Sequence, residues 1–187
     1  MNVTQILTLP FSRSGGWKEL QQRKYSIATL AWLVVLPMSL LPPIILFYVG
    51  THYGDDFLPG FADKQWRFIT TVLFLAELLT FFIMGWLIHA IADAHRVQMS
   101  YEDAYLLATV APLPLWISSL ALLVPDWRVS VAVILLALVP SCTLVYHGMQ
   151  ALCGRDDDDV VAMSATYTVM AVALLAWGLL IAMIWAF

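Results

Sequence analysis

Phe68-Ile69-Thr70-Thr71-Val72-Leu73-Phe74-Leu75-Ala76-Glu77-Leu78-Leu79-Thr80-Phe81-Phe82-Ile83-Met84-Gly85-Trp86-Leu87-Ile88-His89-Ala90-Ile91-Ala92 is the stretch that decides the fold. It holds one carboxylate and one histidine and is otherwise apolar or weakly polar. A helix of ~20 such residues rises far enough to cross ~30 Å of hydrocarbon. Working outward, Ile27 to Val49 has no charged residue, and Ala104 to Val124, Val129 to Gln150 and Val160 to Phe187 have no Lys, Arg, Asp or Glu. Five such runs predict five crossings.

The hydrophobic fraction is 61%, against ~45–50% for an ordinary soluble domain. In hydrocarbon every backbone N–H and C=O needs an internal partner, which leaves helices or a closed barrel. A barrel requires short segments of alternating polarity. Ile134-Leu135-Leu136-Ala137-Leu138-Val139 does not alternate. The fold class is therefore an all-α integral membrane bundle of five transmembrane helices. The expected spans are 26–49, 68–92, 103–124, 128–150 and 161–186, preceded by a basic amphipathic arm over 1–25; residues 26–187 form the transmembrane domain.

The arm has Val3, Ile6, Leu7 and Leu9, then Pro10 and Ser14-Gly15-Gly16 as a break. Trp17 to Lys24 predicts a second short helix, with Trp17 and Leu20 on one side. Both pieces suit an interfacial segment lying on the membrane. Arg13, Lys18, Arg23 and Lys24 are candidate contacts to anionic lipid headgroups. With loops on alternating sides, these four share a side with Arg96 and Arg155, while Lys64, Arg67 and Arg128 lie opposite. The excess of positive charge predicts a cytoplasmic N-terminus and a C-terminus on the outer side. Trp66, Trp127 and Trp185 fall at the outer boundary and Trp17 and Tyr25 at the inner one, as an aromatic belt would place them.

Asp63, Ser100, Asp126 and Asp159 precede or open spans and are expected helix caps. Glu102 and Asp103 add negative charge to a helix start. Pro37, Pro42, Pro43, Pro112, Pro114 and Pro140 each remove a donor inside a span. Gly85, Gly148 and Gly178 read as points where helices approach closely. Pro125-Asp126-Trp127-Arg128 is a turn too short for anything but antiparallel neighbours.

The net charge of −4 and the lack of interleaved basic and aromatic residues exclude a nucleic-acid partner. Cys142 and Cys153 stand ~16 Å apart on one helix and are expected as unbridged small residues. There is no G-x-S-x-G, no P-loop and no G-x-G-x-x-G, so neither an enzyme nor a cofactor is expected.

Glu77 falls near the bilayer midplane, where a carboxylate costs several kcal/mol unless protonated or paired. Ser118, Ser119, Thr143, Tyr146 and Tyr167 on other spans are its expected hydrogen-bond partners. His89 and Asp93 share a helix face, and His147 sits at similar depth with His95, Glu102 and Asp103 nearby. His89, Asp93 and His147 are thus weak metal candidates, without a recognised ligand motif. Asp156 to Asp159 lacks the calcium-loop pattern and reads as a solvated loop.

Several features together resemble the Yip1 family, in particular its small bacterial inner-membrane members. Trp17-Lys18-Glu19-Leu20 precedes the first span, and Met84-Gly85-Trp86-Leu87-Ile88-His89 ends the second. Ala104-Tyr105 is followed by Ala111-Pro112, and Pro125 closes that helix. Tyr146-His147-Gly148-Met149 ends the fourth, and Ala165 lies in the last. The resemblance spans essentially the whole chain. It implies a five-helix, multi-pass protein of the bacterial inner (cytoplasmic) membrane with a periplasmic C-terminus. Eukaryotic relatives bind small GTPases and membrane-shaping proteins in vesicle traffic; the D-L-Y-G-P stretch they carry is absent here.

Two functional expectations follow. The first is a non-enzymatic membrane protein whose partners are the lipid bilayer with its anionic headgroups and another membrane protein or a second copy as a homo-oligomer. The second is a small transporter or channel-like protein for protons, divalent cations or lipid, built on Glu77 and the kinked helices.

Overall fold

Prolines decide where these helices bend, and small residues decide where they touch. The computed structural model describes residues 15–153 and 159–186. A short helix α1 (Gly15–Gln22) is followed by five helices long and apolar enough to cross a membrane: α2 (Ile27–Phe57), α3 (Trp66–Ala94), α4 (Tyr101–Leu123), α5 (Trp127–Leu152) and α6 (Asp159–Ala186). Among the described residues there is no strand. The first expected span runs on past residue 49 to Phe57. Its polar continuation stays helical because Thr51 Oγ1 donates to Phe47 O at 2.8 Å, closing the side chain on its own turn.

Helices α3, α4, α5 and α6 form a ring in which each packs on the next, and α2 lies outside against α3 and α4. The most enclosed is α4: Ala104, Leu106, Leu107, Ala108, Thr109, Val110 and Ala111 are all buried. A helix buried on every side needs apolar residues all round, and this run supplies them. By contrast, the buried hydrophobic residues of α6 are Val161, Ala162, Ala165 and Val169, one stripe at helical spacing.

The prolines leave distinct marks. In α2 a π-helical turn, Ala31–Val35, precedes Pro37, and the Leu36 N–H reaches back to Ala31 O. Pro42 and Pro43 restart the helix after Leu40. Pro112 and Pro114 break α4 into Tyr101–Val110, Leu113–Ser118 and a 3₁₀ turn, Ser119–Leu123. A 3₁₀ end suits a strained terminus. Pro140 is accommodated inside α5 without ending it.

Glycine allows close approach at Gly50 against the Trp66 ring, at Gly54 against the Ala62 backbone, and at the two expected positions Gly85 and Gly148. A Cβ on Gly85 would stand 2.5 Å from Tyr105 Cδ1, and one on Gly148 would stand 2.5 Å from Leu107 Cδ1 and 3.0 Å from a Trp17 ring carbon. Gly85 locks α3 to α4; Gly148 joins α5, α4 and α1. Gly178 differs from expectation, because nothing lies within 4 Å of such a Cβ.

The capping expectations hold in part. Ser100 Oγ accepts from Asp103 N–H at 3.1 Å and Asp126 Oδ1 from Arg128 N–H at 2.9 Å. Gln65, not Asp63, occupies the cap of α3. Asp159 instead accepts from Tyr146 Oη at 2.8 Å and Gln150 Nε2 at 2.7 Å, so it ties the start of α6 to the end of α5. The α4–α5 turn is shorter than expected, since Trp127 and Arg128 already belong to α5.

Two belt residues are packing residues instead. Trp66 is 2% exposed and donates its Nε1–H to Phe61 O at 3.0 Å. Trp17 is 0% exposed. Trp127 and Trp185 remain exposed, as belt residues would be.

Candidate functional site

Glu77 meets its partner across the ring, on α4. Trp116 Nε1–H donates to Glu77 Oε2 at 2.9 Å. None of the five expected hydroxyl donors takes this role. Ser118 donates to Leu115 O, Ser119 to Trp116 O and Thr143 to Pro140 O. Tyr146 donates to Asp159, and Tyr167 is exposed on α6. Helical Ser and Thr side chains commonly satisfy themselves on the preceding turn, which removes them as donors to another helix. An indole N–H has no such local acceptor and is available across the bundle. Trp116 was the signal to read: an aromatic donor within a turn or two of the far end of α4, at comparable depth to Glu77.

The two residues line a partly open cavity of about 70 Å³ between α3, α4, α5 and α6. Thr80, Ala108, Pro112 and Ser141 also line it, among mostly apolar neighbours. Thr80 donates to Ala76 O at 2.7 Å. Ser141 is 2% exposed, and its Oγ has no hydrogen-bond partner among the described residues.

Replacing Trp116 with Phe should cost about 1 kcal/mol, since it strands a partly buried acceptor. The check is a lower unfolding midpoint in detergent. Adding Glu77→Leu to Trp116→Phe should recover part of the loss, because both polar partners are then gone.

Of the metal candidates, His89 and Asp93 line one surface groove. His89 stacks on Tyr101 with ring centroids 3.8 Å apart and planes 6° from parallel. Asp93 is exposed, and His147 lies on α5 beside Tyr146. No three of His, Cys, Asp or Glu come together to hold a metal among the described residues. Cys142 and Cys153 are unbridged.

The other candidate region is α1. Its apolar side is used on the bundle and not on lipid: Trp17 and Leu20 are buried in the core with Leu107, Val145 and Met149. Gln21 Nε2 donates to Asp103 Oδ2 at 2.9 Å, fixing α1 to the start of α4. Lys18, Arg23 and Lys24 remain exposed. Arg23 pairs with Glu19 at 2.9 Å, and the carboxylate of Glu19, with Tyr25 nearby, raises its guanidinium above the usual value. Lys24 sits at φ 42°, in the turn that leads into α2. Arg13 lies outside the described residues, as do Val3, Ile6, Leu7, Leu9 and Asp156 to Asp158.

The family model for the Yip1 domain matches residues 5–180 of the chain. No curated protein and no solved structure gives a significant match.

Proposed function

The chain belongs to the Yip1 family, and we propose that this member is a non-enzymatic membrane protein acting through contacts with lipid and with other membrane helices. The supporting observation is the outer edge formed by α6. It packs on α3 and α5 alone among the helices with extensive contacts. Tyr167, Leu174, Leu175, Leu179, Ile181 and Trp185 are exposed along it. Gly178 sits on that edge with no neighbour within 4 Å, although glycine in a membrane helix serves close helix–helix approach. The bundle leaves this approach unused, and a helix from a second copy or a partner membrane protein would use it.

The same reading puts the N-terminus in the cytoplasm of a bacterium, with the protein in its inner membrane. The exposed Lys18, Arg23 and Lys24, together with Arg13, then face anionic headgroups, each contributing ~1 kcal/mol near the surface.

The test is energy transfer between donor- and acceptor-labelled copies of the full chain in lipid vesicles. Transfer that rises with protein-to-lipid ratio, and falls in Gly178→Ile, is expected for self-association through α6. Transfer unchanged by Gly178→Ile would remove α6 as the contact face. No transfer at any ratio would move the search to a different partner protein.

A further inference from the structure

We propose that the space at the centre of the helix ring is a binding site for one hydrocarbon chain of a bilayer lipid, held inside the bundle and not at its surface. The proposal deepens the reading of this chain as a lipid-contacting protein and rests on it. It concerns the inner side of α6, away from the exposed edge.

The lining sets the chemistry of the occupant. Met84, Ile88, Val145 and Val169 wall the cavity from three helices, with Ala108 and Ala111 contributed by α4. The polar side chains of the lining are turned to the protein. Glu77 Oε2 accepts from Trp116 Nε1–H, Thr80 donates to Ala76 O, and Ser141 Oγ is itself buried. Such a wall offers water no set of hydrogen-bond partners, and apolar cavities of this kind stay dry. A hydrocarbon chain gains dispersion contacts there that an empty space forgoes.

Depth sets its source. Thr80 lies near the middle of α3, Pro112 of α4, Ser141 of α5 and Ala173 of α6. The cavity is therefore at the bilayer midplane, where chain ends are present and headgroups do not reach. Its deep end is sealed by Ile88, Ala108 and Val145, all buried. Its other end is open. Thr80, Leu115, Met170 and Ala173 line it and are half-buried. The last buried hydrophobic residue of α6 is Val169 among the described residues, although the helix continues to Ala186. From Glu77 to Ile88 the lining rises ~16 Å along α3, so the site takes a length of chain and not a single methyl group. Both α4 and α6 line the cavity, yet the extensive contacts of α6 are with α3 and α5. A chain lying between α4 and α6 fills the contact these two lack.

The experiment is photolabelling of the full chain in phosphatidylethanolamine–phosphatidylglycerol vesicles. These contain a trace of phosphatidylethanolamine with a diazirine at the end of one acyl chain, and adducts are mapped by peptide mass spectrometry. Two sets of adducts are expected. Leu175 and Leu179 of α6 are exposed and meet bulk lipid, whereas Met84 and Val145 are buried where bulk lipid does not reach. Ala173→Trp puts a large side chain at the mouth, where half-exposure leaves room for it. It should cut the inner adducts about tenfold or more, since excluding even two buried methylenes is worth that much. The outer adducts should stay unchanged and report intact insertion. Met170→Trp, at the same mouth, should act in the same way. Outer adducts alone in the wild type, or inner adducts undiminished in both variants, would overturn the site. Either result would leave the α6 contact face standing, because that face is tested separately by energy transfer in Gly178→Ile.

Discussion

Trp17→Ala should release α1 from the bundle. The indole is fully buried, and truncating a buried Trp costs about 3–5 kcal/mol. What makes the loss local is geography. Trp17 packs over Gly148 on α5 and beside Leu107 on α4, and Leu20 and the Gln21–Asp103 hydrogen bond also hold α1. One polar bond contributes about 0.5–1.5 kcal/mol net and cannot replace the ring. The readout is trypsin cleavage after Lys18, Arg23 and Lys24 in vesicles that present the N-terminus outward. Wild type should resist at these sites and Trp17→Ala should be cut rapidly, while the five long helices stay protected in both. Equal resistance would show that α1 is held by something other than this ring. The buried Nε1 of Trp17 has no partner among the described residues, so Trp17→Phe should retain most of the protection.

Gly85→Ala should destabilise the α3–α4 contact by about 1–3 kcal/mol, the usual cost of overpacking. The new methyl would stand 2.5 Å from both Cδ1 and Cε1 of Tyr105. The ring has little room to retreat. Its hydroxyl donates to Phe82 O at 3.3 Å, and its edge meets Phe81 with centroids 5.2 Å apart. Tyr105→Ala should therefore rescue Gly85→Ala, and a double-mutant cycle of unfolding midpoints in detergent should give a coupling of about 0.5–3 kcal/mol. Additive losses would mean that the backbones shift apart and the ring is not the obstacle.

The two helices joined at this contact also carry Glu77 and Trp116. Loosening Gly85 against Tyr105 consequently threatens the cavity as well as the fold. By contrast, α6 contributes one stripe to the ring and leaves a long exposed face. That division separates an inner face, where Trp116 meets Glu77 beside a small apolar cavity, from an outer edge open to lipid and partner helices.

Much of this was legible residue by residue. Five apolar runs specify five helices, because lipid offers backbone groups no alternative partner. Ser100 and Asp126 announced their helix starts through cap chemistry that acts over two or three residues. Gly85 and Gly148 marked close approaches, since only a missing side chain permits them. Glu77 stood out because burying a carboxylate is expensive wherever it lands. All of these follow from local geometry or from the solvent.

What only the tertiary structure decided is which groups meet. Sequence alone did not distinguish Trp116 from five hydroxyl residues as the donor to Glu77; the pairing depends on the rotation of α4 after its break at Pro112. Nor did it show that Trp17 and Trp66 are buried while Trp127 and Trp185 stay exposed, since all four sit near span ends. The orphan Ser141 and the open Gly178 are likewise properties of neighbours, not of residue type. The physical reason is that the bilayer determines that each run is helical and how deep it sits, through backbone pairing and hydrophobic length. Rotation about each helix axis, by contrast, is set by side-chain packing between helices, which brings together residues far apart in the chain.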